Sequence, residues 1–174
     1  MDKKVGRPFD EQDVLNELLL DCRRSIRNLA EVCDRGRQQV WRQIKTFEED
    51  GVIWGYTAIV DESKIGCTLY LALIRGGPPR QEVIGKIIDR HMDFNQPGLE
   101  HIRFVDSLFL NGIFDWAIVF AAPGIIDAKR YCGFLEVTYG EYIEQLELME
   151  VMFSAARCGH INPDIQKLRD FAVD

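Results

Sequence analysis

The sequence contains no apolar run of the roughly 18 residues that a membrane-spanning helix requires. Its first stretch, MDKKVGRPFDEQD, carries basic residues but no apolar segment behind them. That argues against a secretory leader and for a cytoplasmic protein without membrane contact. Five cysteines (Cys22, Cys33, Cys67, Cys132, Cys158) include no C-x-x-C pair, and their odd number excludes a fully paired disulfide framework. Histidine is scarce. His91 and His101 have no nucleophile or carboxylate partner identifiable from the sequence, so no catalytic constellation emerges and the chain does not read as an enzyme. Cys158 and His160 supply two ligands where a structural zinc site needs four, so the thiol reads as isolated, with Arg157 beside it as a possible activator. No metal or cofactor is expected.

Hydrophobic residues make up 47% of the 174 and charged residues 28%, enough apolar material for a real core. The net charge of −7 would by itself argue against nucleic acid. Its distribution argues otherwise. From Cys22 to Phe47 there are seven cations (Arg23, Arg24, Arg27, Arg35, Arg37, Arg42, Lys45) against two anions, Glu31 and Asp34. From Thr57 onward, acids outnumber bases seventeen to eleven. A local basic face therefore sits on an acidic body.

Asp10 is a good N-cap for a first helix, whose apolar stripe is Val14, Leu15, Leu18, Leu19 and Cys22. Ser25 caps a second helix with Ile26, Leu29, Ala30 and Cys33 facing inward. After Asp34-Arg35-Gly36 a third helix places Val40, Ile44 and Phe47 on one face and ends at Gly51. Three short helices with a tight turn before the last form a helix-turn-helix. Arg37, Gln38, Trp41, Arg42 and Lys45 then lie away from the core, and Gln39 beside its edge. Arg and Gln can each bond two atoms of a guanine or adenine edge in the major groove. The expectation is that Arg37, Gln38 and Arg42 read bases of double-stranded DNA. Ser25, Gln39 and Lys45 would hold phosphates, with the Gly36 backbone at the helix N-terminus favouring another. Trp41 suits either a thymine methyl or packing between helices.

Beyond Gly51, VIWGYTAIVD alternates like a strand, with Gly55 suggesting a bulge or close approach. A second extended run, Cys67–Arg75, precedes a helix over 80–92. A hairpin about Asn111-Gly112 follows, with Ile102, Phe104, Leu108 and Leu110 on one face of its first strand. A helix over 125–139 and a strand from Tyr142 to about Phe153 complete a βαββαβ order, and a short helix spans 164–171. The fold class is α+β: a winged-helix-like helix-turn-helix domain with its hinge strand (1–56), a ferredoxin-like sandwich (57–155) and a tail (156–174).

WRQIKTFEEDGVIWGYTAIVDESKIG resembles the signature R-x-I-x-x-L-E-x-x-G-V-I-x-G-Y-x-A-x-V-D-x-x-K-L-G of the Lrp/AsnC (feast/famine) transcriptional regulators, with Phe47 in the leucine position. FDEQDVLNELLLDCRRSIRNLAEVC matches the preceding segment less tightly, and NGIFDWAIVF resembles that family's G-x-[aromatic]-D loop. The turn departs from the family's L-G-V-S. Asp34 must take a left-handed position that glycine usually relieves, and Gly36 forfeits a serine cap. The resemblance implies dimers joined through the sandwich and the strand from Val52 to Asp61, and further assembly into tetramers or octamers. It implies an amino-acid effector near Gly112, Phe114 and Asp115, though the same residues also suit a plain hairpin turn. The same two-module architecture occurs in siroheme decarboxylase subunits, which act on a tetrapyrrole. The altered turn also fits an effector-sensing paralogue that no longer binds DNA.

Overall fold

The computed structural model describes residues 14–78, 80–90 and 98–172. The chain divides into two compact units. One holds the residues up to Ile59 together with those from Ala155 onward, and the other is Val60–Ser154.

In the first unit, helices α1 (Val14–Leu20), α2 (Ile26–Val32) and α3 (Arg37–Glu49) enclose Val14, Leu18, Leu29, Ala30, Cys33 and Val40, with Ile44 and Ile53 against them. Ser25 caps α2 as expected, its hydroxyl accepting the Asn28 N–H at 3.2 Å. Gly51, at φ 68°, carries the chain out of α3. The expected cap at Asp10 lies outside the described residues. The stripe on α1 is shorter than expected. Asp21 accepts the Arg23 N–H at 3.0 Å and turns the chain, so Cys22 lies past the helix end and is exposed, as is Leu19. The buried neighbour of Leu18 is instead Glu17, ion-paired to Arg24.

The strand expected from Val52 to Asp61 does not form; residues 52–61 join no ladder, and Trp54 is 97% exposed. Alternation supplies β propensity, but a strand exists only where its N–H and C=O groups find another strand. Gly55 has open space around it, so neither a close approach nor a bulge accounts for it.

The second unit is a four-stranded antiparallel sheet in the order β2-β3-β1-β4, from β1 (Thr68–Gly76), β2 (Arg103–Phe109), β3 (Trp116–Ala122) and β4 (Ile143–Glu150). Helices α4 (Gln81–Arg90) and α5 (Ile125–Tyr139) complete the expected βαββαβ order. Tyr70, Ala72 and Ile74 of β1 and Trp116, Ile118 and Phe120 of β3 face Val83 of α4 and Ala128, Cys132, Leu135 and Tyr139 of α5. Burial pushes the Cys132 thiol up to about 11, with Glu136 adding to the rise, so it remains protonated and inert. A 3-10 turn (Glu62–Ile65) precedes β1 and buries Glu62, which pairs with Arg103 of β2.

The other sheet face carries Leu71, Leu73, Val119, Leu108 and Met149, none fully buried. The single face expected for Ile102, Phe104, Leu108 and Leu110 is broken by a bulge at Val105. Phe104 pairs with Phe120, but Ser107, not Asp106, pairs with Ile118. One inserted residue exchanges the two faces from there on. Phe109 therefore stacks on Trp116 (5.5 Å between centroids), and Leu108 and Leu110 are exposed.

In the tail, Cys158 (φ 47°) and Gly159 (φ 80°) form the two-residue turn of a small hairpin, β5 (Ala156–Arg157) with β6 (His160–Ile161). Positive φ at both central residues is the type I′ pattern. This hairpin was not anticipated. The helix expected over 164–171 forms as a 3-10 helix, Ile165–Phe171.

Gly76 ends β1 directly against Tyr142, where a Cβ would run into the Tyr142 carbonyl and ring. Gly76→Ala is therefore expected to cost about 1–3 kcal/mol, read as a lower urea midpoint; an unchanged midpoint would refute the close approach.

Candidate nucleic-acid interface

The geometry of α3 begins in the turn before it. Asp34 adopts φ 49°, the left-handed position expected of it. The Arg35 N–H then reaches the Ala30 carbonyl at 2.9 Å, closing the end of α2. The Arg35 guanidinium donates to Gln43 Oε1 at 2.5 Å, tying the turn to the second turn of α3. This bond spans eight residues and left no sequence signal. Gly36 is the N-cap of α3 and offers no side-chain acceptor, so the first-turn N–H groups have no cap of that kind. Such an open terminus suits a phosphate.

Val40 is fully buried beneath α3. Arg37, Gln38, Gln39, Trp41, Arg42 and Lys45 are all exposed. They differ in how far they are already engaged. Lys45 pairs with Glu48 at 3.1 Å, and Glu48 also accepts the Tyr56 hydroxyl at 3.1 Å. Those two bonds, that of Lys45 first, hold the Glu48 carboxyl below its usual range. Arg27 on α2 is taken up by Glu31 at 2.9 Å. Arg37, Gln38, Gln39 and Arg42 make no side-chain hydrogen bond or ion pair with any described residue. Ser25, placed among the phosphate contacts by its sequence position, already spends its hydroxyl on Asn28.

Comparison with known proteins agrees with this geometry. Residues 11–53 match a winged helix-turn-helix DNA-binding family. Over 59 residues the chain is 34% identical to the DNA-binding transcriptional activator DecR of Escherichia coli K12, an alignment spanning 34% of this chain and 39% of DecR. An AsnC family transcriptional regulator from Agrobacterium tumefaciens superposes with a TM-score of 0.65 at 19% identity, over 90% of this chain and 98% of that one. A transcriptional regulator of Neisseria meningitidis, solved with L-Met, superposes at 0.66 with 11% identity, over 88% and 96%. The fold is that of the AsnC/Lrp transcriptional regulators.

On this AsnC/Lrp fold, the loop named for an effector joins β2 to β3. It is longer than a two-residue Asn-Gly turn. The Leu110 N–H bonds the Asp115 carbonyl at 2.8 Å, four residues lie between, and Gly112 is not at positive φ. Gly112 is exposed and Phe114 half-buried. The Asp115 carboxylate accepts the Gly76 N–H at 2.9 Å, and its own N–H donates to the Ile74 carbonyl at 2.9 Å. It thus clamps the end of β1, a use the sequence did not reveal. Burial, and secondarily the charge of Asp115, raises the Tyr142 hydroxyl above its usual value.

Asp115→Ala leaves the part-buried Gly76 N–H without its acceptor. A loss of roughly 1–3 kcal/mol follows, measured by urea unfolding at fixed protein concentration with no ligand added. No loss would mean that the carboxylate does not hold the strand end.

Proposed function

We propose that the chain is a sequence-specific, DNA-binding transcriptional regulator of the Lrp/AsnC type that works as an oligomer and responds to a small effector. The observation that carries the reading is the state of α3: its exposed Arg37, Gln38, Gln39 and Arg42 are unspent on the protein itself. Surface arginines on a merely solvated helix commonly find a carboxylate at i±3 or i±4, as Arg27 does with Glu31. Arg37, Gln38 and Arg42 read base edges; Gln39 and Lys45, with the Gly36 end of the helix, hold phosphates. Lys45 exchanges Glu48 for a phosphate on binding. Trp41, half-exposed, packs on the sugar or a thymine methyl. Ser25 contributes chiefly as a cap.

One helix-turn-helix contacts too few bases for specificity, and a dimer doubles them. The half-exposed apolar sheet face supports pairing of two copies, since uncovered apolar surface is costly in a lone chain. Gly112, Phe114 and Asp115 remain the candidate effector contacts. An amino acid is the class favoured, as one regulator of this fold was solved with L-Met.

Binding to the chain's own upstream DNA by fluorescence anisotropy over a salt series tests the reading. Arg37→Ala is expected to erase discrimination between specific and scrambled DNA, by about 1–3 kcal/mol. Lys45→Ala weakens both alike and lowers the salt slope by roughly one. No salt-dependent binding to any genomic fragment would overturn the assignment. Calorimetry with the twenty amino acids addresses the effector: heat from one of them, abolished by Phe114→Ala, is expected, and silence from all removes that class.

A further inference from the structure

Helix α5 gives one side to the core and leaves the other bare. Ala128, Cys132, Leu135 and Tyr139 pack inward. Opposite them stand Ile126, 65% exposed, and Val137, 88% exposed, with Lys129, Gly133 and Glu136 between. At about 100° per residue, Ile126, Gly133 and Val137 fall on one line, and Lys129 and Glu136 lie along its same flank. For a helix in water these are poor choices. Exposed β-branched side chains lower helix propensity, and a mid-helix glycine costs about 1 kcal/mol against alanine. No described residue demands that glycine, since a Cβ there would meet none of them within 4 Å. Arg130 is held by Asp127 at 3.1 Å, but Lys129 and Glu136 have no ion-pair partner among the described residues.

We propose that this face of α5 is a self-association surface, on which α5 of a second copy packs antiparallel across a two-fold axis beside Gly133. Such an axis sets each residue against the one equally far beyond the centre and on the same flank. Ile126 then meets Val137 of the partner subunit, and Lys129 meets Glu136 of the partner subunit. Both pairings place the axis at nearly the same height, where Gly133 lets the backbones approach. A self-complementary patch of this kind is what an isologous contact requires. Charge complementarity selects a second copy over an unrelated apolar partner: cation and anion stand where one rotation superposes them. The surface is separate from the sheet face proposed above for pairing, and the two fail independently.

Sedimentation equilibrium of the full chain, with folding checked by circular dichroism, tests it. Lys129→Glu alone and Glu136→Lys alone each set like charges together twice per contact and weaken assembly on the order of tenfold. The double variant Lys129→Glu/Glu136→Lys restores wild-type assembly. Gly133→Leu raises the thermal midpoint, because helix propensity improves, yet abolishes the contact. Single reversals that leave the mass distribution unmoved, or a double variant that does not restore it, overturn the proposal. Leu71→Arg, on the sheet face, separates the readings. Loss of assembly there with the charge-swap pattern absent supports the sheet face alone, and the swap pattern with Leu71→Arg silent supports α5 alone.

Discussion

Two helices cover only one face of a four-stranded sheet, and much of this protein's behaviour follows from that shortage. Tyr70, Ile74, Trp116, Ile118 and Phe120 are buried beneath α4 and α5. Their strand neighbours Leu71, Leu73 and Val119 point the other way and stay partly in contact with water. At about 25 cal/mol per Å² of apolar surface, leaving that face uncovered forgoes stabilisation that association would recover.

The helical unit meets a different demand. It must keep the outer side chains of one helix exposed. The turn does this by backbone means, through the left-handed Asp34 and the Arg35 N–H on Ala30. Arg35 adds a side-chain strut to Gln43. The loss of a serine cap at Gly36 is thereby offset, and the helix end stays open. The remaining cations divide into those already neutralised by a nearby carboxylate, such as Arg27 and Lys45, and those that are not, such as Arg37 and Arg42, a division that net charge conceals.

The legible parts of the sequence were those with long periodic signals. The span of α5 was readable because Pro123-Gly124 precedes it and its inward stripe, Ala128 to Tyr139, runs about three turns. Ser25, Asp34 and Gly51 were readable because caps and left-handed positions restrict residue type. Contacts between distant residues were not: Glu62 meets Arg103 across 41 positions, and Asp115 meets Gly76 across 39. The bulge at Val105 was hidden because both registers keep hydrophobic residues on alternate sites. Residues 52–61 misled because β propensity belongs to side chains, while a strand belongs to a pair. For the outer residues of α3, exposure agrees with the helical periodicity; which of them are unengaged required coordinates.

The bare side of α5 has a geometric corollary. A module bearing two different isologous patches carries two distinct diads. If those diads intersect at an angle whose doubled rotation closes on itself, copies form a finite ring of dihedral symmetry; if they are skew, the same contacts propagate without end as a filament. A reorientation of α5 against the sheet would turn one diad against the other, so the packing of Ala128 and Leu135 would bear on which outcome follows.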